Sequence, residues 1–155
     1  MTPTGRRGLG ILAASLAGMP GAPLHAASAD PFAYTMEITP EQGPTDPVIE
    51  RRYTRTFATC QDHANGTPGI ADCFTIEFGR QDAVLNRTWK ATLARLPAAA
   101  HMPLIKAQRK WAAARDPFCR DRSDEFSGGT IAPVIYVSCR AELTIRRTLW
   151  LERLR

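Results

Sequence analysis

The four cysteines of this chain are the residues whose type and spacing say most about its chemistry: Cys60, Cys73, Cys119 and Cys139. An even number of cysteines in a short secreted chain is typical of disulfide bonds, and four cysteines allow three pairings. We favour Cys60–Cys73 and Cys119–Cys139, because each pair is close in sequence and flanks a turn-rich stretch. Each bond would stabilise the fold by about 3 kcal/mol. The sequence contains no C-x-x-C pair and no Cys/His cluster, so it predicts neither a metal site nor a cofactor.

Groups suited to catalysis are few. His63 and His101 lie beside predicted loops, and neither has a cysteine or serine at a spacing that would activate a nucleophile. Asp121, Asp124 and Glu125 are close together, and a pair of carboxylates can serve a glycosidase. Three acids on one polar loop are, however, usually just solvated. The sequence therefore favours a protein that is not an enzyme.

The first 29 residues have the composition of a cleavable signal peptide. Arg6 and Arg7 precede an uncharged stretch, residues 8–19, and residues 27–29 read Ala-Ser-Ala, the kind of site that signal peptidase cleaves. A membrane-spanning helix needs about 20 apolar residues, which this stretch does not supply. We therefore expect cleavage before Asp30, no stable membrane insertion afterwards, and a periplasmic or secreted protein. The arginine pair leaves both the Sec and the twin-arginine routes open.

The charge of the chain argues against nucleic acid as a partner. The formal net charge is +5, and residues 1–29 contribute two arginines and no acid, so about +3 remains after cleavage. Acidic and basic residues are expected to be interspersed, whereas a nucleic-acid binder should cluster its basic residues on one face. A small positive charge also provides no long-range attraction to strongly cationic proteins.

The exported part should form one helical domain. Residues 30–47 contain four prolines and a glycine, which predicts an extended or disordered lead-in. Residues 48–155 then carry apolar residues at helical spacing. The pattern predicts an all-α fold, a compact four-helix domain with short connections that is stapled by two disulfides.

Four helices are expected, over residues 49–63, 67–96, 103–119 and 134–154. The first has Ile49, Tyr53, Phe57 and Cys60 on one face. Thr67 should cap the second, which Pro97 ends. The third should be broken or tightened in its last turn by the Asp116-Pro117 pair, and a polar loop over residues 120–133 should lead to the fourth.

Four polar residues fall on the apolar stripes of these helices: Asp82, Gln108, Arg115 and Arg146. A lone buried charge costs several kcal/mol, so such residues should be paired or partly exposed. We expect Asp82 to meet Arg115 between the second and third helices, and Glu142 to hold Arg146 one turn away on the fourth.

The polar loop is the expected site of partner binding, because the Cys119–Cys139 bond would hold both of its ends. Its acids could contact basic residues around an enzyme cleft, Phe126 could serve as an apolar anchor, and its small residues could enter a narrow groove. Alternatively, the glycine pair simply makes a tight turn. The candidate residues are Asp121, Asp124, Glu125, Phe126, Ser127, Gly128 and Gly129.

The order and spacing of several residues between Cys60 and Arg146 follow a known pattern. The residues are Cys60 and Cys73, Asp82-x-x-Leu85-Asn86-x-x-Trp89, Gln108-Arg109-x-Trp111-x-x-x-Arg115-Asp116-x-x-Cys119, Gly128-Gly129-Thr130, Cys139, and Thr144-x-Arg146 with Leu149. In this respect the chain resembles the N-terminal domain of the LprI-type lysozyme inhibitors of bacteria, which usually carry Tyr in place of Trp89. The lipidation cysteine of an anchored member is lacking.

The resemblance implies a helical, disulfide-bonded domain that is secreted or lies in the cell envelope and has a protein partner. Two functions follow as hypotheses. The protein could be a binding module that occludes the active-site cleft of a lysozyme, or an envelope adaptor or helper domain that binds another envelope protein or peptidoglycan without inhibiting lysozyme.

Overall fold

The computed structural model of the chain describes residues 46–154, and this part is helical with no strand. The elements are α1 (Pro47–Glu50), α2 (Arg55–Asp62), α3 (Gly66–Arg95), α4 (Ala98–Asp124) and α5 (Ala132–Arg153). The predicted all-α class is confirmed, with five helical elements in place of four. The expected signal peptide and residues 30–45 of the expected lead-in lie outside the described residues.

The first predicted helix is wrong as a single element, because α1 and α2 are separated by residues 51–54. Thr54 is extended, and its hydroxyl accepts a hydrogen bond from the N–H of Phe57, so it starts a new helix as an N-cap. Asp46 caps α1 in the same way through the N–H of Val48. The apolar face survives the break, since the rings of Tyr53 and Phe57 stack with centroids 4.7 Å apart.

The second predicted helix corresponds to α3, which ends at Arg95 just before the predicted stop. It begins at Gly66, so Thr67 lies inside the helix and is not its cap. Gly66 has φ +66°, a conformation in which glycine alone avoids steric strain. The most buried residues of the first half of α3 are Cys73, Glu77 and Gln81. Apolar spacing predicts a buried stripe that begins with Phe74, Phe78 and Asp82, so the buried face is displaced by one position.

The third helix is longer than predicted at both ends. Ala98 to Ala100 are strong helix formers and already belong to α4. The helix also continues through Pro117 to Asp124, so the predicted break is wrong and the connection shrinks to residues 125–131. Pro117 removes one backbone hydrogen bond, but the disulfide at Cys119 holds this turn against α5.

Helix α5 is the centre of the fold and packs against α1, α3 and α4. Its buried residues lie on several sides of the helix, unlike those of an amphipathic surface helix. The core around it consists of Leu85, Leu96, Leu104, Trp111, Cys119, Cys139, Leu143 and Leu151. Because α3, α4 and α5 are joined by short connections, helices consecutive in the chain run antiparallel, and α3 runs parallel to α5, with Phe78 beside Arg140 and Thr92 beside Leu151.

The two predicted disulfides are confirmed. Cys60–Cys73 joins α2 to α3 with Cα atoms 5.7 Å apart, and Cys119–Cys139 joins α4 to α5 with Cα atoms 5.6 Å apart. Each bond therefore ties together helices that are consecutive in the chain.

Candidate functional site

Arg115 lies between two carboxylates at the middle of the molecule. Its Nη1 donates to Oδ1 of Asp82 on α3 at 3.3 Å, and its Nε donates to Oδ1 of Asp116 at 2.8 Å. Arg140 of α5 donates to the same Asp116 oxygen at 3.1 Å. Partial burial alone would raise the pKa of Asp116, but the hydrogen bonds and charges of Arg115 and Arg140 lower it below its ordinary value. The group thus links α3, α4 and α5.

Aromatic rings complete this cluster. The guanidinium of Arg115 lies 4.9 Å from the ring centroid of Phe78, and that of Arg140 lies 4.0 Å from the same ring and 5.3 Å from that of Tyr136. Cations over aromatic faces at such distances attract the ring quadrupole. Guanidinium groups stay protonated in proteins, so these arginines stabilise the packing and offer no proton for acid–base catalysis.

The second expected pair occurs on α5, where Arg146 Nη2 lies 2.8 Å from Oε1 of Glu142. The same Nη2 lies 3.1 Å from Oδ2 of Asp46. Since Asp46 is also the N-cap of α1, Arg146 fastens the start of α1 to α5. This connection was not visible in the spacing of residues along α5.

A buried polar cluster around Glu77 was missed by the sequence analysis. The Glu77 side chain is completely buried and accepts hydrogen bonds from the N–H and the hydroxyl of Thr54 at 3.0 and 2.6 Å. Gln81 donates to Glu77 at 2.7 Å and to the carbonyl of Arg52 at 2.8 Å. The only signal in the sequence was the spacing of Glu77 and Gln81 one and two turns after the buried Cys73.

Arg147 is the completely buried arginine of α5, whereas the sequence analysis singled out its neighbour Arg146. Its Nε donates to Oε1 of Gln108 on α4 at 2.8 Å. Its guanidinium lies 3.9 Å from the ring centroid of Trp150 and 5.6 Å from that of Trp111. Gln108, expected on an apolar stripe, is therefore paired with a buried arginine.

The residues of the expected binding loop are exposed, but not all of them lie in a loop. Asp121 and Asp124 belong to the last turn of α4, and Glu125 is its C-cap. Residues 126–129 form the turn that follows, in which Phe126 is 45% exposed. Gly128 has φ +85°, so a tight turn explains at least this glycine. Residues 121–129 are called the α4–α5 turn below.

The charges of the helical part are not interspersed as the sequence analysis expected. Residues 83–114, which span the second half of α3 and the first half of α4, contain six Lys or Arg residues and no Asp or Glu. All six are exposed: Arg87, Lys90, Arg95, Lys106, Arg109 and Lys110. The antiparallel arrangement places both basic halves at one end of the molecule, called the basic end below.

A groove of about 330 Å³ lies between α3 and α4 at this basic end. Its lining residues are Trp89, Leu93, Ile105, Gln108 and Arg109. Among residues 46–154, no group of three or more His, Cys, Asp or Glu side chains is placed to hold a metal ion. None of the helices in that range is long and apolar enough to cross a membrane.

Comparison with known proteins gives one family and one similar relative. Residues 60–151 match the family model described as lysozyme inhibitor LprI. A protein of Rhizobium meliloti (strain 1021), described as uncharacterized, is 33% identical over 95 residues, which cover 53% of this chain and 68% of the relative. No solved structure gives a significant match. The family match runs from Cys60 in α2 to Leu151 in α5, so it includes both disulfides.

Proposed function

The chain belongs to the LprI lysozyme inhibitor family, and from this premise we propose that it is an exported binding module of the cell envelope that inhibits a lysozyme. The observation that carries the proposal is the extent of the match, residues 60–151, which takes in α3, α4 and nearly all of α5. Two disulfides also support a periplasmic or secreted location, because such bonds persist in oxidising compartments.

We propose the α4–α5 turn as the surface that contacts the enzyme. Asp121, Asp124 and Glu125 are exposed on it, and such acids would attract the cationic surface of a lysozyme. Phe126 is a large exposed apolar side chain beside them and could be buried as an anchor. The Cys119–Cys139 bond holds the base of the turn, which reduces the entropy lost on binding.

The separation of charge weakens the objection that the chain as a whole is positive, because residues 121–129 contain three acids and one arginine. At 1.5 Å per residue, the lysines of α4 lie about 20 Å along the helix from its terminal acids. This separation exceeds the Debye length of about 8 Å at physiological salt. A cationic enzyme at the α4–α5 turn would therefore feel little repulsion from the basic end.

Each of the two described histidines contacts a backbone carbonyl. His63 Nδ1 lies 2.8 Å from the carbonyl oxygen of Thr59, and His101 Nε2 lies 3.0 Å from that of Leu96. Each imidazole is thus engaged with a backbone carbonyl near a helix end.

The test is an inhibition assay with the mature, oxidised protein. Lysis of cell-wall suspensions by a cationic animal lysozyme should slow as the protein is added. The variant with Asp121, Asp124, Glu125 and Phe126 all changed to Ser should inhibit at least tenfold less, while its helicity and melting temperature stay unchanged. A matched control, Lys106→Ser with Lys110→Ser, changes exposed residues of the same helix and should inhibit like the wild type when both proteins are assayed on a soluble oligosaccharide substrate.

Two outcomes would contradict parts of the proposal. Failure of the wild type to inhibit any lysozyme tested would favour the envelope adaptor hypothesis. Full inhibition by the folded Ser variant would remove the α4–α5 turn as the contact and leave the family function intact.

A further inference from the structure

The groove between α3 and α4 lies at the opposite end of the molecule from the α4–α5 turn. Arg109 on its rim is twelve residues before Asp121, which corresponds to about 18 Å along α4. Its apolar lining is formed by Trp89 and Leu93 of α3 and Ile105 of α4. Grooves of this size and composition, with a few polar groups at fixed positions, are typical of sites for small ligands or single residues of a polymer.

The polar groups of this groove are hydrogen-bond donors. Arg147 has no acceptor atom, so its bond to Gln108 fixes the amide with the oxygen toward Arg147. The amide nitrogen of Gln108, with two N–H groups, is then the part that a ligand in the groove can reach. Arg109 adds a guanidinium at the rim. A ligand that fits must therefore supply oxygen acceptors, and carboxylates are the strongest of these toward arginine.

The electrostatic surroundings point in the same direction. Of the six exposed basic residues at this end, Arg95 donates to the backbone carbonyls of Leu151 and Leu154. The other five form no ion pair with any carboxylate of residues 46–154. A cluster of unpaired charges of one sign creates a field that concentrates counter-charged ligands. The groove thus sits in a positive field with no nearby acid on its own two helix halves.

We propose that the α3–α4 groove binds peptidoglycan through the free carboxylates of its stem peptides. The apolar lining would pack against sugar rings and alanine methyl groups, and Gln108 and Arg109 would hold the carboxylate. The inference rests on the proposed exported location, where the wall is the abundant anionic polymer, but it does not need lysozyme inhibition. With the groove bound to peptidoglycan, the α4–α5 turn at the other end would be held close to the polymer that lysozyme degrades.

The side chains around the groove favour the cell wall over two other anionic partners, a membrane surface and nucleic acid. Helices that lie stably on a membrane surface bury an apolar face in addition to their charge attraction, and Met102 is the only large exposed apolar side chain among residues 83–114. Binding of single-stranded nucleic acid uses aromatic rings open to stack with bases, whereas Trp89 is half-buried in the groove wall. Binding of duplex DNA through charge alone is tested directly by filter binding.

The experiment is co-sedimentation of the mature, oxidised protein with insoluble peptidoglycan at low and at high salt. The wild type should sediment with the wall, and binding should fall at least tenfold in the variant Lys90→Gln with Arg109→Gln. Trp89→Leu should weaken binding without changing its salt dependence. The matched control, Arg55→Gln with Arg120→Gln, removes the same charge at exposed positions away from the groove and should bind like the wild type.

Parallel sedimentation with phosphatidylglycerol vesicles and filter binding of DNA distinguish the sources of negative charge. Binding to vesicles or DNA but not to peptidoglycan would overturn the proposal, as would equal loss of wall binding in the groove variant and its control. Lysozyme inhibition on a soluble oligosaccharide substrate is measured with the same variants. The groove variant should keep it, so failure of wall binding and failure of inhibition are seen separately.

Discussion

Glu77 accepts two hydrogen bonds from Thr54, one from its N–H at 3.0 Å and one from its hydroxyl at 2.6 Å. The glutamate lies in α3 and is completely buried, and the threonine is the residue that starts α2. The same carboxylate accepts a hydrogen bond from Gln81 at 2.7 Å, and Arg80 reaches it at 3.5 Å. One buried side chain thus determines where the predicted first helix is interrupted.

Glu77→Ala should lower the free energy of unfolding by about 3 kcal/mol or more, because several buried donors lose their acceptor. Thr54→Val removes the hydroxyl that caps α2 and should lower it by about 1 to 2 kcal/mol. The double variant should lose less than the sum. Urea unfolding of the oxidised protein measures all three, and a loss below 1 kcal/mol in Glu77→Ala would contradict the assigned role.

Each disulfide should contribute about 3 kcal/mol to stability, because the loops of 13 and 20 residues that they close have similar chain entropy. The variant Cys60→Ser with Cys73→Ser should free α2 from α3 while the rest stays helical. The variant Cys119→Ser with Cys139→Ser opens the core beside α5 and should be the more damaging. Circular dichroism melts of both variants provide the comparison. A larger effect from the Cys60–Cys73 bond would contradict this ranking.

The Asp82–Arg115 pair should be weakly coupled. Asp82 keeps 40% of its side chain exposed, and Arg115 also binds Asp116, so the roughly 3 kcal/mol of a buried pair does not apply. A double-mutant cycle with Asp82→Leu and Arg115→Leu should give a coupling of about 0.5 to 1 kcal/mol. Strictly additive effects would show that the 3.3 Å contact contributes nothing in solution.

Asp116 should make stability depend on pH in the acid range. In the folded protein the pKa of Asp116 lies below its ordinary value because of Arg115 and Arg140. As the pH falls, this carboxylate is therefore protonated in the unfolded chain before it is protonated in the folded protein. The contribution of Asp116 to the free energy of unfolding is therefore complete above about pH 5 and is lost as the pH falls through the folded pKa. At neutral pH the variant Asp116→Asn should be less stable than the wild type, and near pH 2 the two proteins should be about equally stable. Urea unfolding at both pH values measures the difference. A pH-independent difference would contradict the assignment.

Processing should produce a mature chain that starts at Asp30, because residues 27–29 read Ala-Ser-Ala. N-terminal sequencing of exported protein checks this directly. A start within three residues of Asp30 would refine the cleavage position. An exported chain that still begins with Met1 would show that the leader is not removed.

Much of the helical architecture could be predicted from local sequence. Apolar spacing predicted the ends of α3 and α5 to within two residues. Pro97, whose ring cannot continue a helix, also indicated where α3 stops. The disulfide pairing followed from short loops, which close at lower entropic cost than long ones. The residues of the α4–α5 turn were also found, because a polar, glycine-containing stretch between helical patterns is a local signal.

The errors came from residues whose state depends on partners far away in sequence. Glu77 and Arg147 are buried because Thr54 and Gln108 reach them from other helices, and periodicity alone counts such charges as surface residues. Pro117 sits inside α4 because contacts to α5 hold this turn in place. Local propensity gives way whenever tertiary contacts stabilise the segment more strongly.

The sequence by itself determined the helical class, the disulfide-bonded framework and the family pattern, since each depends on residue types at short spacing. Only the tertiary structure decided which face of α3 is buried, and only the packing of α3 and α4 against α5 brought their acid-free halves to the two sides of one groove beside Trp89. Helix periodicity identifies an apolar stripe to within about one residue. The buried side is chosen by the hydrogen-bond partners that neighbouring helices supply to the polar groups beside that stripe.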